Sequence, residues 1–347
     1  MYRFAESIPE GDFISTILDV ARIAGVSRTT VSRYLNGYLD RNSKTARKIR
    51  QVIEELNYRP NLLARSLRST ISRSVAVIVP DLRNPFYPEL LSGVEMSLAQ
   101  HGIQVFVGQS TNDALREPEM LQNYSARQVD GIVYVSATSE PSAVLRDIAE
   151  SIPTIILDEE VSGFEESTVR VDHEMGLYKA TKYLLDMGHR RLAYIAGPPQ
   201  LKTTELRIKG MQLALSEFPN TAEVEVVHGT YQISTGGMWA EHLMHDPHPP
   251  TAILCANDLV ALGVHRKLYE MGILVPSTIS IIGFDDIFLS KMVSPTLTTL
   301  RQPLEQLGRA VTENLIEVIR TGSSHGTRTI LAPELVVRES TAPAIMR

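Results

Sequence analysis

Residues 17–36 read ILDVARIAGVSRTTVSRYLN. The apolar positions predict a helix over Ile17–Ala24, a turn at Gly25–Ser27 and a second helix over Arg28–Asn36. A tight turn between crossing helices needs backbone angles that Gly25 tolerates. Ala21 supplies the small side chain that a close helix approach requires. Val20, Ala24, Val26, Val31 and Leu35 form the apolar face, and Ser27 is placed to cap the second helix. The opposite face of that helix presents Arg28, Thr29, Ser32 and Arg33. Such side chains reach base edges and phosphates when a helix enters a major groove. The same pattern also describes a structural helical hairpin with an ordinary polar surface.

The neighbouring residues favour the first reading. Asn42–Glu55 predicts a third helix, with Asn42 as its cap. Thr45, Ile49, Val52, Ile53 and Leu56 point inward, and Lys44, Arg47, Lys48 and Arg50 outward. The stretch NYRPNLLARSLRS, 57–69, follows. Pro60 interrupts the helical pattern, Asn61 can cap a short helix, and Leu63, Ala64 and Leu67 form one stripe. A helix that short needs a partner, either a second copy of itself or DNA. Charge agrees. Residues 1–74 carry 13 Lys+Arg against 7 Asp+Glu, a net of +6, and the remainder 21 against 33, a net of −12. A basic segment on an acidic body suits a polyanion-binding head.

After Ser74 the texture changes. Predicted strands Ser74–Val79, Gln104–Gly108, Gly131–Val135, Thr154–Leu157, Leu192–Ala196, Glu223–Val227, Ala252–Ala256 and Ser280–Phe284 alternate with helical stretches such as His173–Met187 and Leu259–Met271. Continuous apolar strands separated by helices predict parallel sheets covered on both faces. Eight such units suggest two lobes rather than one open sheet. Past Phe284 the rhythm breaks: a strand at Thr296–Leu300, a long helix at Glu305–Arg320, and an extended stretch at Thr329–Val337. This tail is expected to cross between the lobes more than once. The expected divisions are a tail at 1–15, a helix-turn-helix domain at 16–60, a hinge and linker at 61–73, and the two-lobed region at 74–347.

Composition restricts the function classes. The 347 residues are 43% hydrophobic and 21% charged, the profile of a soluble globular protein. There is no apolar run of about 18 residues, so no membrane span is expected. Met1–Phe13 carries Glu6, Glu10 and Asp12 without a hydrophobic block, which argues against a secretory signal. One cysteine, Cys255, forms no internal disulfide and reads as a small buried residue, consistent with a reducing cytoplasm. No P-loop, G-x-G-x-x-G, G-x-S-x-G or H-E-x-x-H is present. His242, His245 and His248 read as a solvated helix end rather than a metal site. Neither a metal nor a cofactor is expected.

At this point the chain resembles the lactose-repressor/galactose-repressor (LacI/GalR) family. The matching stretches are TILDVARIAGVSRTTVSRYLNG, ELNYRPNLLARSL, VAVIVPDLRNPFYPELLSGVE, VDGIVYVS, GHRRLAYIAGP, RIKGMQLAL, AILCANDLVALG, SIIGFDD and PTLTTLRQP. They cover nearly the whole chain beyond the N-terminal tail. The resemblance implies an all-α DNA-reading domain, a hinge helix, and an α/β two-lobed core like a type I periplasmic sugar-binding protein. It places Arg28, Thr29 and Arg33 against base edges, and Thr16, Ser27, Thr30, Ser32 and Asn36 near phosphates. Asn61, Ala64 and Leu67 fall on the hinge, with Leu67 as the minor-groove wedge. It implies a homodimer on a near-palindromic double-stranded operator. There are departures. Arg41-Asn42 stands where a Val-Ser pair is common, so the loop 37–41 is expected to run differently, with Leu39 packing in place of the valine. The N-terminal tail is longer than usual, and no heptad helix follows the last strand.

The resemblance also selects Arg207, Asn257 and Asp285 as the polar centre of a ligand site. Their chemistry suits a polyhydroxyl ligand, because Arg offers donors, Asp accepts and Asn does both. Each has a structural reading beside it: an ion pair for Arg207, a helix cap for Asn257, a turn residue for Asp285. Asp81, Asn84, Phe86, Ser136 and Tyr231 follow in rank, with either aromatic able to stack on a sugar ring. The implied function is a repressor of carbohydrate-utilisation genes, released by a sugar or sugar derivative. A purine corepressor is the alternative, and phosphorylated or acidic sugars stay open. An enzyme and a solute-binding protein are the competing classes. The missing motifs oppose the first, and the basic N-terminal segment opposes the second.

Overall fold

The computed structural model describes residues 16–35, 38–58, 72–111, 113, 115–219, 222–323 and 325–344. The expected tail at 1–15, Asn36, and the hinge residues Asn61, Ala64 and Leu67 lie outside the described residues. Two compact units are present, one within 1–71 and one within 72–347.

The first unit contains α1 (Ile17–Ala24), α2 (Arg28–Leu35) and α3 (Lys44–Glu55). Val20, Ala21, Ala24, Val31, Ile49 and Val52 form its buried centre. Thr16 and Asp19 close a reciprocal capping box ahead of α1. Gly25 ends that helix with φ at 62°, the left-handed conformation that glycine adopts without strain. The Ser27 hydroxyl accepts from the Thr30 amide at 3.1 Å, as a cap should. The start of α3 corrects the expectation for Asn42. Ser43, one residue later, caps it by accepting from the Ala46 amide at 3.1 Å, while the Asn42 amide bonds Asp40. With the helix so placed, Ala46 is fully buried and Thr45 only half-buried. Leu39 packs against the core, and Arg41 is exposed.

The second unit has two six-stranded sheets. The first lobe holds β1 (Ser74–Val79), β2 (Gln104–Gln109), β3 (Gly131–Tyr134), β4 (Thr154–Leu157) and β5 (Thr168–Val171). The second holds β6 (Arg191–Ala196), β7 (Glu223–His228), β8 (Ala252–Cys255), β9 (Ser280–Asp285) and β10 (Thr298–Arg301). The stretch 329–337, expected as extended chain, forms two strands. β11 (Thr329–Leu331) pairs parallel with β5, and β12 (Glu334–Val336) pairs antiparallel with β10. The sheet orders are therefore β11-β5-β4-β3-β1-β2 and β12-β10-β9-β8-β6-β7. All pairings except β10–β12 are parallel. β1, β3, β4, β8 and β9 are buried along their whole length, whereas the edge strands β2 and β7 are largely exposed. β5 escaped the sequence reading because Arg170 breaks its apolar run. Here the guanidinium is buried, bonded to Glu160 at 2.9 Å and to the Val171 carbonyl.

The chain crosses between lobes three times. After β5 it enters α7 (His173–Asp186) of the second lobe; after β10 it returns through α11 (Leu304–Thr321) to the first; between β11 and β12 it crosses again at Ala332-Pro333. The first lobe also carries α4 (Phe86–Gln100), α5 (Glu117–Ala126) and α6 (Ala143–Ala149). The second also carries α8 (Lys202–Ser216), α9 (Ile233–Met244) and α10 (Asp258–Glu270). Among the described residues, no helix is long and apolar enough to cross a membrane.

Candidate functional site

In the first unit the described residues among those predicted to face DNA lie on α2 or just ahead of α1 and α2, and they differ in accessibility. Thr29 and Arg33 are exposed, as are Thr16 and Ser27; Arg28, Thr30 and Ser32 are half-buried. Several hydroxyls have local partners. Thr16 Oγ1 bonds Asp19 at 2.7 Å, and Ser27 Oγ lies 2.8 Å from Thr30 Oγ1. These bonds fix the helix N-termini, whose amides and hydroxyls are suited to anions. One arrangement was not legible beforehand. Arg50 of α3 reaches the Tyr34 hydroxyl of α2 at 3.2 Å and the Arg41 carbonyl at 3.4 Å, tying the departing loop to both helices.

In the second unit a cavity of about 550 Å³ opens between the lobes, at the C-terminal ends of the parallel strands. Arg207, Asn257, Asp285, Asp81, Asn84, Phe86, Ser136 and Tyr231 all line it. Their separate roles follow from their partners. Arg207, on α8, is 5% exposed and, among the described residues, has no carboxylate partner at bonding distance. Its Nε and Nη2 donate to His173 Nδ1 at 3.3 Å and its Nη1 to the Ala256 carbonyl at 2.6 Å. Its guanidinium lies 3.9 Å from the centre of the Phe284 ring. Because a guanidinium only donates, His173 Nδ1 must be bare and Nε2 must carry the proton. That proton points to the Asp158 carbonyl, 3.2 Å away. Burial first and Arg207 second hold the imidazole well below its usual pKa, so it is neutral.

Asn257 fills both expected roles. Its Oδ1 caps α10 at the Val260 amide, 2.9 Å away, and its Nδ2 reaches the Tyr231 carbonyl at 3.4 Å, within the cavity wall. Asp285 and Asp286 have φ of 115° and 60°, a strained pair that sends the two carboxylates in different directions. Asp286 is held by Arg301 at 2.7 Å and Arg338 at 2.5 Å. Asp285 faces the cavity, takes the Gln302 amide at 2.8 Å, and has its pKa raised by burial and then by Asp258. Asp81 is paired with Arg83, Nε to Oδ1 at 2.9 Å, which lowers its pKa. Asn84 accepts from the Phe86 amide at 3.1 Å. Phe86 is 3% exposed and belongs to the hydrophobic core; Tyr87, edge-on to it, is the more open ring. Tyr231 lies against Gly197, where a Cβ would come within 2.5 Å of its hydroxyl. Ser136 is buried and accepts from the Thr138 amide.

Sequence reasoning missed Asp158, Glu159, Thr203 and Gln302, which also line the cavity. Asp158 and Glu159 follow β4 directly, and that position was the available signal. Burial raises Asp158 to a pKa of about 6 against the opposing effect of Arg207, and Glu159 to about 7 against its hydrogen bonds. Asp158 Oδ1 and Gln302 Oε1 are buried and, among the described residues, have no hydrogen-bond partner. Both residues line the same cavity as Arg207.

With that geometry in view, residues 16–61 match the family described as bacterial regulatory proteins, lacI family, and residues 181–341 the periplasmic binding protein-like domain. The chain is 30% identical over 328 residues to the ribose operon repressor of Haemophilus influenzae, spanning 94% of this chain and 98% of that one. It is 33% identical over 330 residues to the HTH-type transcriptional repressor PurR of Vibrio vulnificus, spanning 94% and 98%. Among solved structures, the lac repressor dimer bound to operator and the anti-inducer ONPF superposes with a TM-score of 0.84 at 27% identity, covering 94% of this chain and 99% of that one. A LacI family regulator from Enterococcus faecium with bound ribose superposes at 0.71 and 28% identity, covering 78% and 100%. The chain therefore belongs to the lacI family of bacterial regulatory proteins and is a DNA-binding transcriptional regulator, not an enzyme.

Proposed function

We propose that this regulator is a cytoplasmic repressor of carbohydrate-utilisation genes. It binds a near-palindromic operator as a homodimer and is released by a sugar or sugar derivative held between the lobes. The observation that carries the ligand reading is the cavity wall. Donors from Arg207 and Asn257 stand with acceptors from Asp285, Asp158 and Gln302 around a volume suited to a small polyol. The ribose bound in the Enterococcus faecium neighbour supports the same class. On the DNA side, Arg28, Thr29 and Arg33 read base edges, while Thr16, Ser27, Thr30, Ser32 and Asn36 meet phosphates. Asn61, Ala64 and Leu67 form the minor-groove hinge. Ligand preference for one lobe arrangement, by a few kcal/mol, is enough to shift operator affinity.

The test is a thermal-shift screen of the purified protein against sugars, sugar acids, sugar phosphates and purines, followed by operator binding with any hit. A ligand at 100 times its Kd adds about 2.7 kcal/mol of stability. The expected result is a shift with a neutral sugar that also releases operator DNA. A shift with a purine alone, or with a sugar that leaves operator binding unchanged, overturns the reading.

A further inference from the structure

A helix leaves its first amides without helical partners, and a nearby side chain normally accepts from them. α8, which carries Thr203 and Arg207, lacks such a residue of its own, because its N-cap position is Leu201. The acceptors come from the other lobe. The Lys202 amide donates to Ser139 Oγ at 2.6 Å. The Thr203 amide donates to Glu159 Oε1 at 3.1 Å, and the Thr203 hydroxyl to Glu159 Oε2 at 2.8 Å. Ser139 follows β3 and Glu159 follows β4, so both belong to the first lobe, while α8 belongs to the second. Glu159 is 3% exposed and Thr203 4%. The Ser139 hydroxyl lies 3.5 Å from Glu159 Oε1, so the two caps are joined. A carboxylate at this end of a helix is also favoured by the helix dipole.

We propose that Ser139 and Glu159 are positioning residues of the cleft: by capping α8 from the opposite lobe, they latch the lobes together and hold α8, with Arg207 on it, in the cavity wall. Separating the lobes strips α8 of both caps at once. The latch therefore favours the arrangement in which the cavity wall is already assembled, and ligand entry competes with it because Glu159 and Thr203 are part of that wall. The loss of one cap corresponds to roughly a tenfold change in the ratio of closed to open molecules.

The experiment uses the full chain with no ligand added. Spin labels are attached at Glu119→Cys in the first lobe and Gln212→Cys in the second; both sites are exposed, and the native Cys255 is buried. Interlobe distances are measured by pulsed electron resonance, and amide exchange is followed at Lys202 and Thr203. The parent should show one short distance and slow exchange at these amides. Ser139→Ala and Glu159→Ala should each raise the open population and the exchange rate about tenfold, and the double variant should raise them further. Glu159→Gln keeps an acceptor toward the Thr203 amide and should restore most of the closed population. A purely structural role would lower the melting temperature without moving the distance. If the double variant keeps the parent distance and exchange, or if the parent is already mostly open, the proposal is wrong. Should Glu159→Ala fail to fold, Ser139→Ala removes a single hydroxyl and gives the same reading.

Discussion

At the scale of single residues, burial rather than residue type sets the chemistry of this molecule. Asp258 is fully buried, with Thr299 donating to Oδ1 at 2.5 Å and the Ile287 amide to Oδ2 at 2.9 Å. Burial still outweighs those bonds and pushes its pKa from 3.8 to about 8. The folded form therefore holds this proton more tightly than the unfolded chain does. Its contribution to stability is complete below about pH 4 and is lost as pH rises through 8. Asp258→Asn keeps an acceptor for Ile287 and a polar contact for Thr299 but cannot ionise. Its stability relative to the parent should rise by more than about 1 kcal/mol between pH 5 and pH 8.5, read from denaturant midpoints. Parallel curves for the two proteins would show that Asp258 does not titrate in this range. Asp285 is the corresponding residue in the cleft. Asp285→Ala should abolish the response to ligand and leave operator binding intact, measured by thermal shift and by gel mobility. A normal response would remove Asp285 from the site.

At the scale of elements, the helix pairs are built on close backbone approach. α9 and α10 meet through Gly236 and Gly263, where an added Cβ would lie 1.9 Å from the Val260 carbonyl oxygen and 2.0 Å from that of Ile233. Gly237, beside them in α9, has only the Gly263 oxygen at 3.7 Å, an ordinary contact. The two positions should therefore respond in opposite directions. Gly263→Ala should destabilise by about 1–3 kcal/mol or more, because the helices have to separate. Gly237→Ala should be neutral or stabilise by about 0.5–1 kcal/mol, through helix propensity alone. Equal effects in chemical denaturation would mean that the packing does not depend on Gly263. Element boundaries were legible because their signals are local. Ile17–Ala24, Ser74–Val79 and Thr154–Leu157 match the predicted spans to the residue. Where a signal was duplicated it misled: Asn42 and Ser43 are both capping residues, and only packing selected the second.

At the scale of the whole molecule, charge is divided between a basic N-terminal segment and an acidic remainder. Operator binding should accordingly be steeply salt-dependent, weakening by about 10³-fold or more between 50 and 200 mM salt if six or more phosphates are met. The thermal shift produced by a neutral sugar should barely move over the same range. A shared salt dependence would mean that the ligand is itself charged. Leu67→Ala should weaken binding to operator far more than binding to random DNA, since a wedge acts only where a base step opens. Equal losses on the two DNAs would count against that role.

The sequence by itself determined the helix-turn-helix, all eight strands predicted between Ser74 and Phe284 to within one residue at either end, and the presence of two lobes. Those features rest on period, apolar runs and glycine, which act over a few neighbours. The family resemblance carried by its motifs also named Arg207, Asn257 and Asp285, which the fold brings to the wall of one cavity. The tertiary structure alone decided the split of 329–337 between two sheets, the burial of Arg170, and the caps that Glu159 and Ser139 place on a helix 44 and 63 residues away. It also decided which carboxylates keep their protons. These depend on distances between distant segments and on exclusion of water, and no local pattern of residues encodes either one.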